Sequence, residues 1–326
     1  MRKVIPEKPA SELNDWRNKL NQYVELEDIN DLTVNSYSRN SLLAMTKDWN
    51  LFVEFCLSKN VRAMPCATTA IRIFLEKEAK QRKFATIRRY SVTIGLFHKI
   101  LQYKDPTSNQ AIKLLLSSLR IEKNGDAQQA EAFTREHLDT LYDKLDTSPN
   151  PKHIRDLAIC CVMFECAMKR SELSNLTLHN IHIVRTDNSC LIDVDNAQYQ
   201  LSESSSHALK KWLLLAHPSI EEADKEKALF SAIDKHGNIS HTAMDHSSLY
   251  RVARNVGDIL GGKIKFSGQS MRVGAVKELA EQGKKVRDIQ WFGRWASTAM
   301  PYQYLGNITA SEQEKTKYKR FKALDE

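Results

Sequence analysis

The scarcity of chain breakers constrains this sequence most. Its 326 residues contain eleven glycines and eight prolines. So few turn formers favour long helices over many tight hairpins. Apolar residues recur at helical spacing in TVNSYSRNSLLAMTKDWNLFVEFCLSKN, where Leu43, Trp49, Phe52, Phe55 and Cys56 form one predicted stripe. CATTAIRIFLEKEAKQ, ATIRRYSVTIGLFHKILQYKD and SNQAIKLLLSSLRIEK read as three further helices, and the four together predict a small bundle. Order is expected to begin near Leu32, which makes residues 1–30 an N-terminal extension and 31–122 the bundle.

The stretch IEKNGDAQQAEAF is polar and carries Gly125, so residues 123–133 read as a linker. Residues 134–326 then form a second domain. Thr134 is placed to cap a helix over TREHLDTLYDKL, and PKHIRDLAICCVMFECAM is apolar enough to be a buried helix. NIHIVRTDNSCLIDVDNAQYQLS carries the strand signals: two β-rich runs around a D-N-S turn, then a third after Asp195-Asn196. The six cysteines show no C-x-x-C pair and no histidines at metal spacing, so they read as packing thiols and no metal is expected. No apolar run approaches the ~20 residues of a membrane span, and MRKVIPEKPASELNDW lacks a signal-peptide core, which predicts a cytoplasmic protein. A net charge of +8 suits a polyanionic partner. Lys80, Arg82, Lys83, Arg88 and Arg89 cluster at the start of the third helix, either as a solvated face or as a phosphate-binding patch.

Four segments, in order, resemble the tyrosine recombinases, or phage-integrase family, and most nearly their Cre-like branch. AQQAEAFTREHLDTL is similar to the junction into the catalytic domain, and KRSELSNLTLHNI to the R-x-S-E-L-x-x-L-x-x-x-D-I signature. SGQSMRVGAVKELAEQG resembles the H-x-x-R segment, and FGRWASTAMPYQYL the G-G-W…Y ending. The resemblance implies a mainly α fold: an N-terminal helical core-binding (SAM-like) bundle, then a mostly helical catalytic domain with a small antiparallel sheet. It implies double-stranded DNA with inverted half-sites as partner, a homo-oligomer with two protomers per site and four in the synapse, and a C-terminal tail docked on a neighbouring protomer. The implied chemistry uses no cofactor. A tyrosine hydroxyl attacks a phosphodiester, forms a 3′-phosphotyrosyl bond and releases a 5′-hydroxyl.

By the same resemblance, Tyr304 is the nucleophile, nine positions beyond Trp295, with Tyr302 as its competitor. Arg272 and Trp295 fall on phosphate-binding positions, and Glu172 falls on the acidic residue that braces a neighbouring cation. Three positions depart from the pattern. Lys169, not Arg170, stands where the first arginine belongs, and one step along a helix turns a side chain by about 100°. Gln269 replaces a histidine and cannot act as acid or base near neutrality. The turn in IDVDNAQYQL offers Asn196 and Gln198 where the family has a lysine, so another lysine (Lys210, Lys211, Lys263 or Lys265) would have to serve. These departures leave two readings: an active recombinase, or a recombinase-fold DNA-binding protein that has lost cleavage.

Overall fold

A computed structural model describes residues 8–125, 129–184, 186–218 and 225–324. The chain divides into two compact units that meet in sequence between residues 128 and 129. Both are mostly helical, as the shortage of chain breakers predicts.

The first unit holds α1 (Ala10–Lys19), α2 (Leu26–Leu32), α3 (Arg39–Ser58), α4 (Thr68–Ala79), α5 (Phe84–Ile100) and α6 (Gln110–Glu122). The four expected helices are α3 to α6. Order begins earlier than expected, however, because Leu13, Leu20, Val24 and Ile29 are buried in the same core as Trp49 and Phe52. Residues 10–30 therefore belong to the bundle and are not an extension. The Ser38 side chain caps α3, and Asn109 caps α6. The α3 stripe also shifts by one residue: Leu42 is buried and Leu43 is exposed. Leu42 continues the three-and-four spacing of Met45, Trp49, Phe52, Val53 and Cys56, whereas Leu43 lies a further 100° round.

The second unit is built around α8 (Pro151–Glu165), whose residues from Ile154 to Phe164 are all buried. Against it pack α7 (Arg135–Leu145), α10 (Glu203–Ala216) and α12 (Ser270–Glu281), with α11 (His246–Ile259) also in contact. Thr134 caps α7 as expected, and the His137 side chain completes a capping box. Strands β1 (Ile181–Ile183), β2 (Cys190–Val194) and β3 (Ala197–Gln200) form the expected antiparallel sheet, in register Ile181↔Ile192↔Tyr199. A second sheet of β4 (Ser231–Ile233) and β5 (Ile239–Ala243) was not expected, since SHTA alternates too weakly to signal a strand. Short helices α9 (Arg170–Ser174), α13 (Val286–Phe292) and α14 (Ala299–Tyr304) precede the terminal α15 (Ile308–Leu324).

Of the expected linker, residues 126–128 lie outside the described residues. Residues 129–133 pack into the second unit: the Phe133 amide donates to the Ser270 carbonyl at 3.0 Å, and its ring is fully buried. The cysteines are free, and all but Cys66 are buried. Burial pushes the Cys56 and Cys161 thiols up to about 12, as expected of packing thiols. No helix among the described residues is long and apolar enough to cross a membrane.

Candidate active site

Four loops and helix ends of the second unit converge. Gln269 and Arg272 lie at the start of α12, the Gly293–Trp295 turn follows α13, and Tyr304 ends α14. The fourth contributor is the bend from Cys166 to Lys169, which joins α8 to α9.

Arg272 sits at the centre and is 3% exposed. Its guanidinium donates to the Ala167 carbonyl, and to the Gly293 carbonyl at 2.9 Å. The Trp295 ring covers it, with 4.2 Å from guanidinium carbon to ring centroid. Burial holds the Arg272 pKa below the usual arginine value, with Glu172 opposing the shift, and a guanidinium so high in pKa is still charged at neutral pH. The Tyr304 ring meets Trp295 edge-on at 5.8 Å. The Tyr304 hydroxyl accepts from the Gln269 amide at 3.1 Å and lies near enough to Arg272 to interact with its charge. Thus Gln269, Arg272, Trp295 and Tyr304, all singled out from sequence, share one small space. The competing Tyr302 lies toward Lys317 instead.

Glu172 forms the second half of the site. Its carboxylate lies 3.8 Å from Arg272 and 2.5 Å from the Lys169 ammonium, and it also accepts the Lys169 amide at 2.8 Å. Its third cation escaped the sequence reading. Arg294 reaches Glu172 with two nitrogens, at 2.8 and 3.4 Å, and its remaining donors take the Cys166, Ala167 and Phe292 carbonyls and the Tyr199 hydroxyl. A signal was available: arginine stands where the G-G-W pattern has glycine. The backbone there has φ +57°, which an arginine adopts only under strain. Arg170, by contrast, stays out of this network. Its exposed side chain runs over Gly268, where a Cβ would come within 2.4 Å of the Arg170 Cδ.

The β2–β3 turn carries no lysine. Gln198 donates to Asp193 at 2.9 Å, the other Asp193 oxygen meets His182 at 2.7 Å, and Asn196 is exposed. Lys210 donates to the Asn188 carbonyl and Lys211 to that of Asp146, while Lys263 and Lys265 are exposed in the loop before α12. In the first unit the basic cluster divides. Arg89 forms a two-pronged pair with buried Asp48, both contacts at 2.8 Å, and Arg82 lies 3.5 Å from buried Glu78. Lys80, Lys83 and Arg88 are exposed. Two of the five expected phosphate ligands are therefore partly committed to holding the bundle together.

The phage integrase family model matches residues 131–309, more than half of the chain, including Lys169, Glu172, Gln269, Arg272, Arg294, Trp295 and Tyr304. The chain belongs to this family. Over 292 residues it is 21% identical to the Cre recombinase of Escherichia phage P1, covering 82% of this chain and 83% of that protein. It is 23% identical to the tyrosine recombinase XerC of Herpetosiphon aurantiacus, covering 83% and 86% respectively. In fold it is similar to the XerH site-specific recombinase bound to its difH substrate before cleavage, with a TM-score of 0.62 at 13% identity over 93% of this chain and 88% of that one. A lambda integrase dimer bound to a core site is similar at a TM-score of 0.57 and 10% identity, over 89% and 94%. In this phage-integrase family member Tyr304, Arg272 and Trp295 thus lie together, with Lys169, Glu172 and Arg294 beside them.

Proposed function

We propose that this protein is a site-specific DNA recombinase that cleaves through Tyr304. The packing of Trp295 against both Arg272 and Tyr304, with Gln269 donating to the Tyr304 hydroxyl, carries this reading. The phenol oxygen attacks the scissile phosphorus and the bond to the 5′-oxygen breaks. The phenolic proton goes to solvent, and the departing 5′-oxygen takes up a proton. The bond energy is kept in the phosphotyrosine, so a second 5′-hydroxyl can reverse the step. Arg272 stabilises the charge that gathers on the non-bridging oxygens, and Gln269 donates a neutral hydrogen bond. The partner is double-stranded DNA with inverted half-sites, bound by two protomers per site and four in the synapse. Exposed Lys80, Lys83 and Arg88 supply backbone contacts in the first unit. A cytoplasmic place of action belongs to the same reading.

The bare β2–β3 turn and Gln269 favour a second reading, a DNA-binding protein on the recombinase fold. Loss of a general acid costs about 10²–10⁴ in rate, enough to silence cleavage. The test begins by selecting a bound half-site from a randomised duplex library, then nicking it so that cleavage becomes irreversible. A covalent protein–DNA adduct on denaturing gels, absent in Tyr304→Phe, is the expected result. Tight, salt-sensitive binding with no adduct would leave the second reading standing.

A further inference from the structure

Three cations crowd one carboxylate, and they differ in what they are free to do. Arg294 is 10% exposed, and its guanidinium nitrogens face Glu172, three backbone carbonyls and the Tyr199 hydroxyl. A guanidinium has five N–H donors, and here protein acceptors occupy them, so Arg294 has none to spare for a ligand. Lys169 is the opposite case. Its backbone is fixed at the start of α9, but its side chain is 46% exposed, and its ammonium sits on a four-carbon stem and is held by Glu172 alone among the described contacts. The Glu172 side chain is itself 10% exposed. Withdrawing a cation from so buried a carboxylate is costly unless another cation stays behind.

We infer that Arg294 is a positioning residue: it holds Glu172 permanently and so releases Lys169 to bind the scissile phosphate opposite Arg272. The inference rests on reading the pocket as a phosphodiester site. It accounts for an arginine kept at φ +57°, a backbone conformation that is strained for any residue but glycine. It also accounts for a lysine serving where the neighbouring Arg170 points away. Lys169 and Arg294 divide two tasks, binding the phosphate and neutralising Glu172. Neither residue is placed to perform both.

The experiment reads phosphate contacts without needing cleavage, so it separates this inference from the fate of the recombinase reading. Affinity for the selected half-site is measured against salt, where each phosphate contact contributes about 0.9 to the log–log slope. In the otherwise native protein, Lys169→Ala is expected to lower the slope by about one contact. In an Arg294→Gly background, Glu172 keeps Lys169 and the same change should lower it by nothing. Adding Glu172→Gln to Arg294→Gly removes the captor, and the effect of Lys169→Ala should return. A purely structural role for Arg294 would not give that rescue. Should Arg294→Gly fail to fold, Arg294→Lys is used instead; its single ammonium cannot span both carboxylate oxygens, so a reduced Lys169 effect is expected. An effect of Lys169→Ala equal in every background, or absent from the native protein, overturns the inference. Failure of the native protein to bind any half-site overturns both readings, and binding without adduct removes only the cleavage step.

Discussion

Glu172 owes its acidity to the cations around it. Burial works to raise its pKa, but hydrogen bonds from Arg294, from the Lys169 ammonium and from the Lys169 amide outweigh burial and hold it at about 2. The folded value lies below the ordinary 4.5, so ionised Glu172 stabilises the folded state above about pH 4.5. That stabilisation is lost as pH falls from there toward 2. At about 1.4 kcal/mol per unit it amounts to roughly 3 kcal/mol. Glu172→Gln should therefore cost on the order of 3 kcal/mol at pH 7 and almost nothing near pH 2, measured by urea unfolding across that range. A cost independent of pH would mean that the carboxylate's charge is not what binds the three cations. Among the residues of this network, Glu172, Lys169 and Arg272 were legible in the sequence because they sit in patterned segments. Arg294 was passed over although it too lies in such a segment, because Glu172 and Cys166, which it holds, are more than a hundred residues away and a single arginine in a turn reads as surface.

At the scale of elements, the site depends on how closely α12 approaches the chain that crosses it. A Cβ on Gly274 would fall 1.6 Å from the Phe133 carbonyl oxygen and 2.6 Å from its carbon. Both obstacles are backbone, so the helix or the crossing segment must move. Arg272 lies two residues away on the same helix and moves with it. Gly274→Ala should cost about 3 kcal/mol or more in denaturant unfolding, and should abolish the adduct. Gly237 is the contrast. It has φ +90° but open space around it, so Gly237→Ala should cost only about 1 kcal/mol and leave cleavage intact. Equal effects of the two substitutions would show that steric approach is not what fixes α12. Caps and long apolar stripes made α3, α7 and α8 readable in advance, since each signal lies within the element itself. Helices α1 and α2 were not readable: ASELNDWRNK is mostly polar, and its few apolar residues gain meaning only against α3 and its neighbours. β4 and β5 failed for a similar reason, because their pairing depends on each other rather than on alternation.

On the scale of the whole molecule, the cores are separate. One cluster of buried residues runs from Leu13 to Leu119, and a second runs from Phe133 to Ala275. A third and much smaller cluster joins Val273, Val276, Ile289 and Tyr304. Each unit thus has the closed apolar core that independent folding requires. Fragments 1–128 and 129–326 should each unfold cooperatively when expressed alone, with melting curves like those they show in the full chain. A fragment that stays unfolded would mean that its core is completed by the other unit. The third cluster leads to a finer expectation within 129–326. Four buried side chains stabilise far less than the core around α8, and α14 and α15 pack mainly on each other. Amide exchange should therefore be fastest in α14 and α15, slower in α12 and slowest in α8. That gradient would put Tyr304 on the part of the unit that opens most readily, while Arg272 sits on a helix that opens less readily. A nucleophile must move relative to the phosphate it attacks and later leaves, and a fixed guanidinium must not. Uniform protection from α8 to α15 would deny the site that division between a mobile tyrosine and a rigid arginine.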